Sequence, residues 1–192
     1  MKKIEFGPTN FLYPMPATLV GANVAGKPTY LAIAHAGIME YSPQHIISIS
    51  MNISHYTNKG IKENGTFSVN MPSTKMVVVT DYCGIVSGKN VDKSELFETF
   101  YGILKTAPMI KECPINMECK LIQTLDIHNH EIFIGEIIES YCDDEYLTEG
   151  VPDLAKVDPI LFSFYDKNYW KISGKFAKAF NVGKDFRCKK DR

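Results

Sequence analysis

Short segments in which apolar and polar residues alternate recur along this chain, and residues typical of turns separate them. In residues 45–51 (HIISISM), Ile47, Ile49 and Met51 alternate with Ser48 and Ser50. This two-residue period is typical of a β-strand with one buried face. The same reasoning predicts further strands at 17–24, 29–36, 66–71, 115–127, 131–141, 160–165 and 168–172.

Three helical pieces interrupt this pattern. We expect Ser54 to cap a helix that starts at His55 and ends at Asn64-Gly65, because Gly tolerates the left-handed conformation of such ends. Ser73 is expected to cap a second helix that runs to about Tyr82, and 94–100 a short third one. Many short strands with a few inserted helices predict a mainly β barrel or sandwich. No repeat or linker divides the chain, so 1–192 is expected to form a single domain.

The charge balance argues against nucleic acid as a partner. The 21 Lys and Arg residues face 22 Asp and Glu residues, which leaves a formal net charge of −1 and no basic excess for a phosphate backbone. The first residues, MKKIEFGPTN, do not resemble a signal peptide, and no window is apolar enough to span a membrane. We therefore expect a cytoplasmic protein.

The five cysteines are odd in number and form no CxxC pair. This pattern disfavours a disulfide framework and a structural zinc site, so reduced and mostly buried thiols are expected. A redox role stays open as the alternative, with Cys83 as its candidate.

The junction SISMNISHYTNKG combines the end of a strand with the start of a helix. A helix start has unpaired N–H groups and a partly positive dipole end, so it binds phosphate readily. Here Ser54, Tyr56 and Thr57 add hydroxyl groups. The alternative is that Ser54 caps its own helix and the other two hydroxyls are solvated.

A second candidate anion site is the loop predicted at 84–93, within YCGIVSGKNVDK. Gly84 and Gly88 allow a close approach of the backbone, and Lys89 and Lys93 add positive charge beside Ser87. An ordinary surface loop is the alternative.

His128-Asn129-His130 occupies the tip of the predicted 115–141 hairpin. Two histidines at this spacing share a face, but no third ligand completes a known metal spacing. A polar turn and a ligand contact by His130 are the other interpretations. The chain lacks GxSxG and GxGxxG, so we assign no catalytic nucleophile and no Rossmann domain.

Taken together, these segments resemble the flavin-reductase-like FMN-binding split barrels, and among them the flavoredoxin-like members. The likeness covers nearly the whole chain, through YPMPATLVGA (13–22), GKPTYLAIAHAGI (26–38), ISISM (47–51), SHYTNKGIKENGTFSVNMPS (54–73), TDYCGIVSGKNVDKS (80–94), APMIKECPINMECKL (107–121), HEIFIGEI (130–137) and GKFAKAFNVGK (174–184).

This resemblance implies a Greek-key split β-barrel with inserted short helices that pairs as a homodimer and binds FMN at or beside the subunit interface. It places Tyr56 and Thr57 at the phosphate. Backbone and charge contacts are expected from Ser87, Gly88 and Lys93. The residues that the likeness places at or beside the flavin ring are Thr29, His35, Ser50, Met51, Asn52 and His130, with Phe164 or Tyr165 closing one side.

The implied function is that of a redox flavoprotein. It would pass hydride or electrons between NAD(P)H or a redox partner and a flavin or a further acceptor. A flavin reductase is the enzyme class favoured, and the alternatives are a flavin carrier without turnover or a barrel for another small ligand. One departure is His35, where some flavoredoxin-like chains carry Trp. A smaller, titratable ring there changes how the flavin face is covered.

Overall fold

A computed structural model describes residues 2–184 of the 192-residue chain. Within this part the strands, in chain order, are β1 (Met15–Pro16), β2 (Thr18–Val24), β3 (Lys27–Ile33), β4 (Ala36–Glu40), β5 (Ile46–Asn52), β6 (Thr66–Met71), β7 (Thr99–Phe100), β8 (Met109–Ile110), β9 (Ile115–Ile127), β10 (His130–Cys142), β11 (Leu147–Thr148), β12 (Val151–Pro152), β13 (Leu161–Ser163) and β14 (Asn168–Trp170). The α-helices are α1 (Thr57–Asn64), α2 (Val77–Ile85) and α3 (Leu154–Val157), and the 3₁₀ turns are Thr74–Met76 and Asp144–Tyr146.

Seven strands form one antiparallel sheet in the order β3-β2-β6-β9-β10-β5-β4. The two outer strands of this order, β3 and β4, follow each other in the chain and are separated only by Ala34 and His35. Ser50 N–H donates to the carbonyl of His35 at 2.9 Å, which ties this bend to β5. The sheet therefore closes on itself, and the prediction of a mainly β barrel with short inserted helices is confirmed.

The alternation in β5 sorts its side chains as the sequence predicts. Ile47, Ile49 and Met51 are buried in the barrel core, where they belong to a cluster with Phe67 and Phe133. Ser48, Ser50 and Asn52 lie on the opposite face and are partly exposed. One face of this strand thus belongs to the barrel core, and the other face lies on the outside of the barrel.

The hairpin between β2 and β3 is tighter than predicted. Its loop consists of Ala25 and Gly26 alone, with φ values of 50° and 76°, and Val24 pairs directly with Lys27. Positive φ at both loop residues gives a turn whose twist matches the flanking strands. Lys27 and Pro28, which the sequence places between the strands predicted at 17–24 and 29–36, therefore begin the second strand.

Helix α1 begins at Thr57 rather than at His55. Its end agrees with the prediction, because Gly65 has a φ of 64° and its N–H donates to Ile61. The second helix also starts later than expected, because a 3₁₀ turn over Thr74–Met76 precedes α2. The Ser73 side chain caps neither the turn nor the helix.

The prediction of a helical piece at 94–100 is wrong. A turn at 94–95 and a bend at 96–97 are followed by β7 (Thr99–Phe100), which pairs with β8 (Met109–Ile110). Ser94 does not cap a helix, because its amide and hydroxyl both bond the Asp92 carboxylate. A local turn of this kind competes with helix formation.

The loop after β7 is held by a buried carboxylate. Glu118 on β9 is fully buried, and its carboxylate accepts hydrogen bonds from the amides of Ile103 (2.8 Å) and Leu104 (2.7 Å) and from the Tyr141 hydroxyl (2.7 Å). Three donors satisfy the charge that burial would otherwise penalise.

Helix α2 packs on the barrel through a second apolar cluster that includes Leu19, Tyr30, Cys83 and Phe97. This contact positions the loop that follows the helix. The described cysteines Cys83, Cys113, Cys119 and Cys142 are free, and Cys188 lies outside the described residues. No helix among residues 2–184 is long and apolar enough to cross a membrane.

Candidate functional site

The two turns that the sequence marks as candidate anion sites lie on opposite walls of one cleft. The start of α1 contributes Ser54, His55, Tyr56 and Thr57, and the loop after α2 contributes residues 84–88 together with Lys93. The cleft has a volume of about 190 Å³. The structure therefore joins two segments that are about thirty residues apart in the chain.

The α1 wall of this cleft is a helix start without a side-chain cap. Ser54, expected to cap the helix, instead donates its hydroxyl to Asn52 Oδ1 at 2.7 Å, and its amide bonds the same oxygen. Among the described residues no side chain caps the amides at the start of α1, so its positive dipole end remains available to a ligand. Thr57 is buried at this position and lines the cleft.

The opposite wall carries a buried positive charge. Lys93 is only 2% exposed, and its ammonium group donates to the carbonyls of Tyr30 (2.8 Å) and Cys83 (2.9 Å). Among the described residues no carboxylate forms a salt bridge with it. Burial lowers the pKa of Lys93, because the protein does not fully compensate the lost hydration of the charge. An anion in the cleft would supply that compensation.

Thr29, which the resemblance places at the flavin ring together with His35, lies against Gly88 of the 84–93 loop. His35 lies beyond the end of β3, in the bend that follows Ile33. Thr29 is 4% exposed, and its Oγ1 has no hydrogen-bond partner among the described residues. A Cβ added to Gly88 would lie 2.5 Å from Thr29 Oγ1 and 3.1 Å from the Tyr56 ring. Glycine is therefore needed at position 88 for a close approach of the loop.

His55 is a cleft residue that the sequence analysis did not single out. Its Nδ1 is buried without a partner among residues 2–184. Burial is the largest cause that lowers the pKa of His55, and the nearby His130 and Lys93 lower it further. His55 therefore links the cleft to the second group of site residues, around His130. Its place between two hydroxyl residues in SHYT is the signal that could have identified it.

A buried clip that the sequence did not reveal fixes the start of α1. Asn58 donates its side-chain amide to the Asn52 carbonyl (3.0 Å) and to the Glu131 carboxylate (2.8 Å). Glu131 also forms an ion pair with Lys62. These bonds join α1, β5 and β10, so the first turn of the helix is held by the barrel.

The second group of site residues surrounds the bend between β3 and β4. The His35 ring lies 5.6 Å from the Phe164 ring and 6.3 Å from the His130 ring, measured between centroids. His130 pairs with Asn52 across the β5–β10 ladder, and Nδ1 of His130 lies 2.8 Å from Asn129 Oδ1. Burial and the neighbouring His130 lower the pKa of His35. This surface therefore combines three aromatic rings, of which His35 and Phe164 are tilted by 34° and His35 and His130 are nearly perpendicular, with polar strand ends beside them.

Two residues expected at the flavin ring have their side-chain contacts elsewhere. The Met51 side chain is 1% exposed and faces the barrel core, so Met51 could run beside a flavin only through its backbone. The alternation of β5 sends Ser50 and Asn52 outward instead. Tyr165 is 61% exposed and packs on Phe11, with centroids 5.2 Å apart, so Phe164 is the aromatic that faces His35.

Ser87 and the HNH turn have mainly local contacts. Ser87 Oγ accepts a weak bond from the Lys89 amide at 3.3 Å, and the residue lines the cleft. His128 adopts a φ of 52° in the two-residue turn between β9 and β10. Within the described residues no group of three or more His, Cys, Asp or Glu side chains is arranged to hold a metal ion.

Comparison with known proteins defines the class to which this fold and site belong. The family model of the flavin reductase like domain matches residues 11–171, and the chain therefore belongs to this family. An uncharacterized protein of Archaeoglobus fulgidus is 29% identical over 161 residues, which cover 83% of this chain and 89% of that protein.

Among solved structures, the chain is similar to two flavoredoxins. The flavoredoxin of Methanosarcina acetivorans is 48% identical with a TM-score of 0.93, and the match covers 96% of this chain and 98% of that one. The flavoredoxin of Desulfovibrio vulgaris (Miyazaki F) is 35% identical with a TM-score of 0.87, covering 95% and 100%. The resemblance found in the sequence is confirmed.

Proposed function

We propose that this chain is an FMN-binding redox flavoprotein whose phosphate site is the cleft between α1 and the 84–93 loop. The observation that carries the proposal is the donor set of the cleft: an uncapped helix start, the Thr57 hydroxyl and the buried Lys93 ammonium. These groups suit a phosphate dianion. The likeness to two flavoredoxins supports a flavin as the ligand.

The cleft is too small for a whole flavin, because ligand pockets of that kind measure about 300–1,000 Å³. We infer that the ring lies outside it, over the surface formed by His35, His130 and Phe164. Ser50 and Asn52 border this surface at the end of β5, with backbone and side-chain polar groups. His55 connects the two regions.

The bound flavin would supply hydride or electron transfer by its own chemistry. The protein's residues then have the tasks of binding and orientation. Lys93 and the start of α1 hold the anionic end, and the aromatic surface at His35 and Phe164 covers the ring and excludes water. NAD(P)H or a redox protein is the proposed electron donor. The four free described cysteines are consistent with a reducing compartment, and we propose the cytoplasm.

Flavin uptake tests this function. Apo-protein mixed with FMN is expected to become yellow after gel filtration and to quench flavin fluorescence. NADH and NADPH oxidation with free FMN as the acceptor then separates a reductase from a carrier, because a carrier binds flavin without oxidising either nucleotide. A protein that stays colourless at saturating FMN would contradict the proposal.

Thr57→Val tests the position of the phosphate. Loss of the hydroxyl is expected to weaken FMN binding by about 1–2 kcal/mol, because one hydrogen bond to a charged group is lost at constant shape. Riboflavin, which lacks the phosphate, serves as the matched ligand, and its affinity should not change. Equal weakening of both flavins in fluorescence titrations would place the ring, not the phosphate, at Thr57.

We also propose a homodimer in which a second copy covers the flavin ring. On β10, Ile132 pairs with Ser50 of β5 on one side and with Leu125 of β9 on the other. His130 pairs in the same way with Asn52 and Ile127. Leu125 and Ile127 are exposed large apolar residues on this ladder, and Ile38 and Met39 of β4 are exposed as well. An apolar surface beside a ligand site is typical of an interface.

Sedimentation is expected to give a mass near twice the 21.6 kDa of one chain at micromolar concentration. Leu125→Lys should shift the protein toward monomer and weaken FMN and riboflavin alike, because a charge is unfavourable in a buried interface. Lys120→Glu, on an exposed position of the same strand, serves as the control. A mass of one chain for the unmodified protein would refute the dimer.

A further inference from the structure

Helix α1 is attached to the barrel at both of its ends by an asparagine side chain. At the far end, Asn64 donates its carboxamide to the Asn23 carbonyl of β2 at 2.7 Å. At the start, Asn58 donates to the Asn52 carbonyl of β5 at 3.0 Å and to the Glu131 carboxylate of β10 at 2.8 Å. The attachment at Asn58 lies next to the proposed phosphate site, because Asn58 is the second residue of the helix.

The Asn58 side chain is directed into the protein and not at the cleft. It is 3% exposed and does not line the cleft, and both N–H groups of its carboxamide are bonded within the protein. Its Oδ1 is buried and has no partner among residues 2–184, which costs free energy. Stability alone therefore does not account for a carboxamide at this position. Asn58 can act on a ligand only through the backbone of α1.

The two acceptors of Asn58 belong to the strands that border the proposed ring surface. Asn52 ends β5 and pairs with His130, and Glu131 is the next residue along β10. The Asn52 carbonyl also accepts the His55 amide at 3.0 Å, just before the helix. These bonds fix the start of α1 relative to the strand ends. They therefore set the spacing between the proposed phosphate site and the proposed ring surface.

We propose that Asn58 is a positioning residue that makes the site prefer FMN to riboflavin. The proposal rests on the proposed function, because it requires the FMN phosphate at the start of α1. A ligand held at two ends binds tightly only where the protein keeps both sets of contacts at the matching spacing. Riboflavin has no phosphate, so its binding does not depend on where α1 starts. Asn58 thus contributes to FMN affinity without contacting FMN.

Fluorescence titrations of the full-length apo-protein with FMN and riboflavin test this inference through the ratio of the two affinities. Asn58→Leu nearly keeps the side-chain volume but removes both hydrogen bonds, and it is expected to lower the preference for FMN about tenfold. Asn64→Leu is the matched control, since the same substitution in the same helix also removes a bond to the barrel. It should leave the ratio within about twofold, and thermal melts compare the stability of the two variants.

Variants of Glu131 separate position from charge. Asn58→Leu leaves the buried Glu131 carboxylate with one donor fewer, and a less compensated negative charge repels a phosphate. The double variant Asn58→Leu/Glu131→Gln removes that charge, and its preference for FMN should stay low. Glu131→Gln alone keeps an oxygen acceptor for Asn58, so its ratio should stay within about twofold of the unmodified protein.

A low ratio in Asn58→Leu and in the double variant, with nearly normal ratios in Asn64→Leu and Glu131→Gln, would support the inference. Three results would overturn it: the ratio recovers in the double variant, Asn58→Leu weakens both flavins equally or neither, or Asn64→Leu lowers the ratio as much. If Asn58→Leu does not fold, Glu131→Leu takes its place with the same expectation, because it keeps the bond from Asn58 to Asn52. Failure of the unmodified protein to bind FMN would refute the proposed function itself, and this inference with it.

Discussion

Lys93→Met is expected to weaken FMN binding by about two orders of magnitude, because a buried charge that faces a ligand anion is removed at nearly constant shape. Among residues 2–184, Lys93 carries the one positive charge that is buried at the wall of the cleft. The variant also leaves the carbonyls of Tyr30 and Cys83 without their donor, so the free energy of unfolding should fall by about 1–2 kcal/mol.

The pH dependence of FMN binding separates the effect of the Lys93 charge on binding from the structural role of its hydrogen bonds. Burial lowers the pKa of Lys93 in the free protein, and a bound phosphate would raise it again. FMN should therefore bind with full affinity below the lowered pKa of Lys93, and its affinity should fall as the pH rises through that pKa. Lys93→Met should lose this fall, whereas Lys89→Met on the exposed side of the same loop should keep it. Unchanged FMN affinity in folded Lys93→Met would limit Lys93 to a structural role.

Glu118→Ala is expected to lower the free energy of unfolding by about 3–5 kcal/mol, a large part of the stability of an average domain. The substitution removes the acceptor of the Ile103 and Leu104 amides and of the Tyr141 hydroxyl, and it leaves a cavity. The pKa of Tyr141 is raised to about 12 by its burial and by the bond to Glu118, so the hydroxyl remains a donor at neutral pH.

Urea unfolding at equilibrium measures this loss, and Glu118→Gln is the matched variant. Its side chain keeps one oxygen acceptor and nearly the same volume, so a smaller loss is expected, and Tyr141→Phe should remove only one bond. A change below about 1 kcal/mol for Glu118→Ala would mean that the loop after β7 is held by other contacts.

Local patterns in the sequence were sufficient to predict most strands of the barrel. The alternation in β5 places Ile47 and Ile49 inside because the period of a strand is two residues, whatever the strand pairs with. The Asn64-Gly65 helix end follows from the conformational freedom of glycine. The helix starts predicted near Ser54 and Ser94 are wrong, because Ser54 bonds a nearby carboxamide and Ser94 a nearby carboxylate, and neither caps a helix.

The binding site depended more on contacts between distant segments. Met51, which the resemblance places beside the flavin, has its side chain in the barrel core, and Thr29 lies against Gly88 of the 84–93 loop. Lys93 looks like a surface lysine in SGKNVDKS, yet its ammonium group is buried between β3 and α2. A side chain's partners across the barrel cannot be read from its neighbours in the chain.

The sequence by itself determined that this chain forms short strands with polar helix starts, and its resemblance indicated the family and the ligand. Only the tertiary structure decided that the start of α1 and the 84–93 loop face each other across one cleft. The physical reason is that the anion-binding character of each turn is local, whereas their convergence depends on barrel closure at His35 and on the packing of α2 against β3.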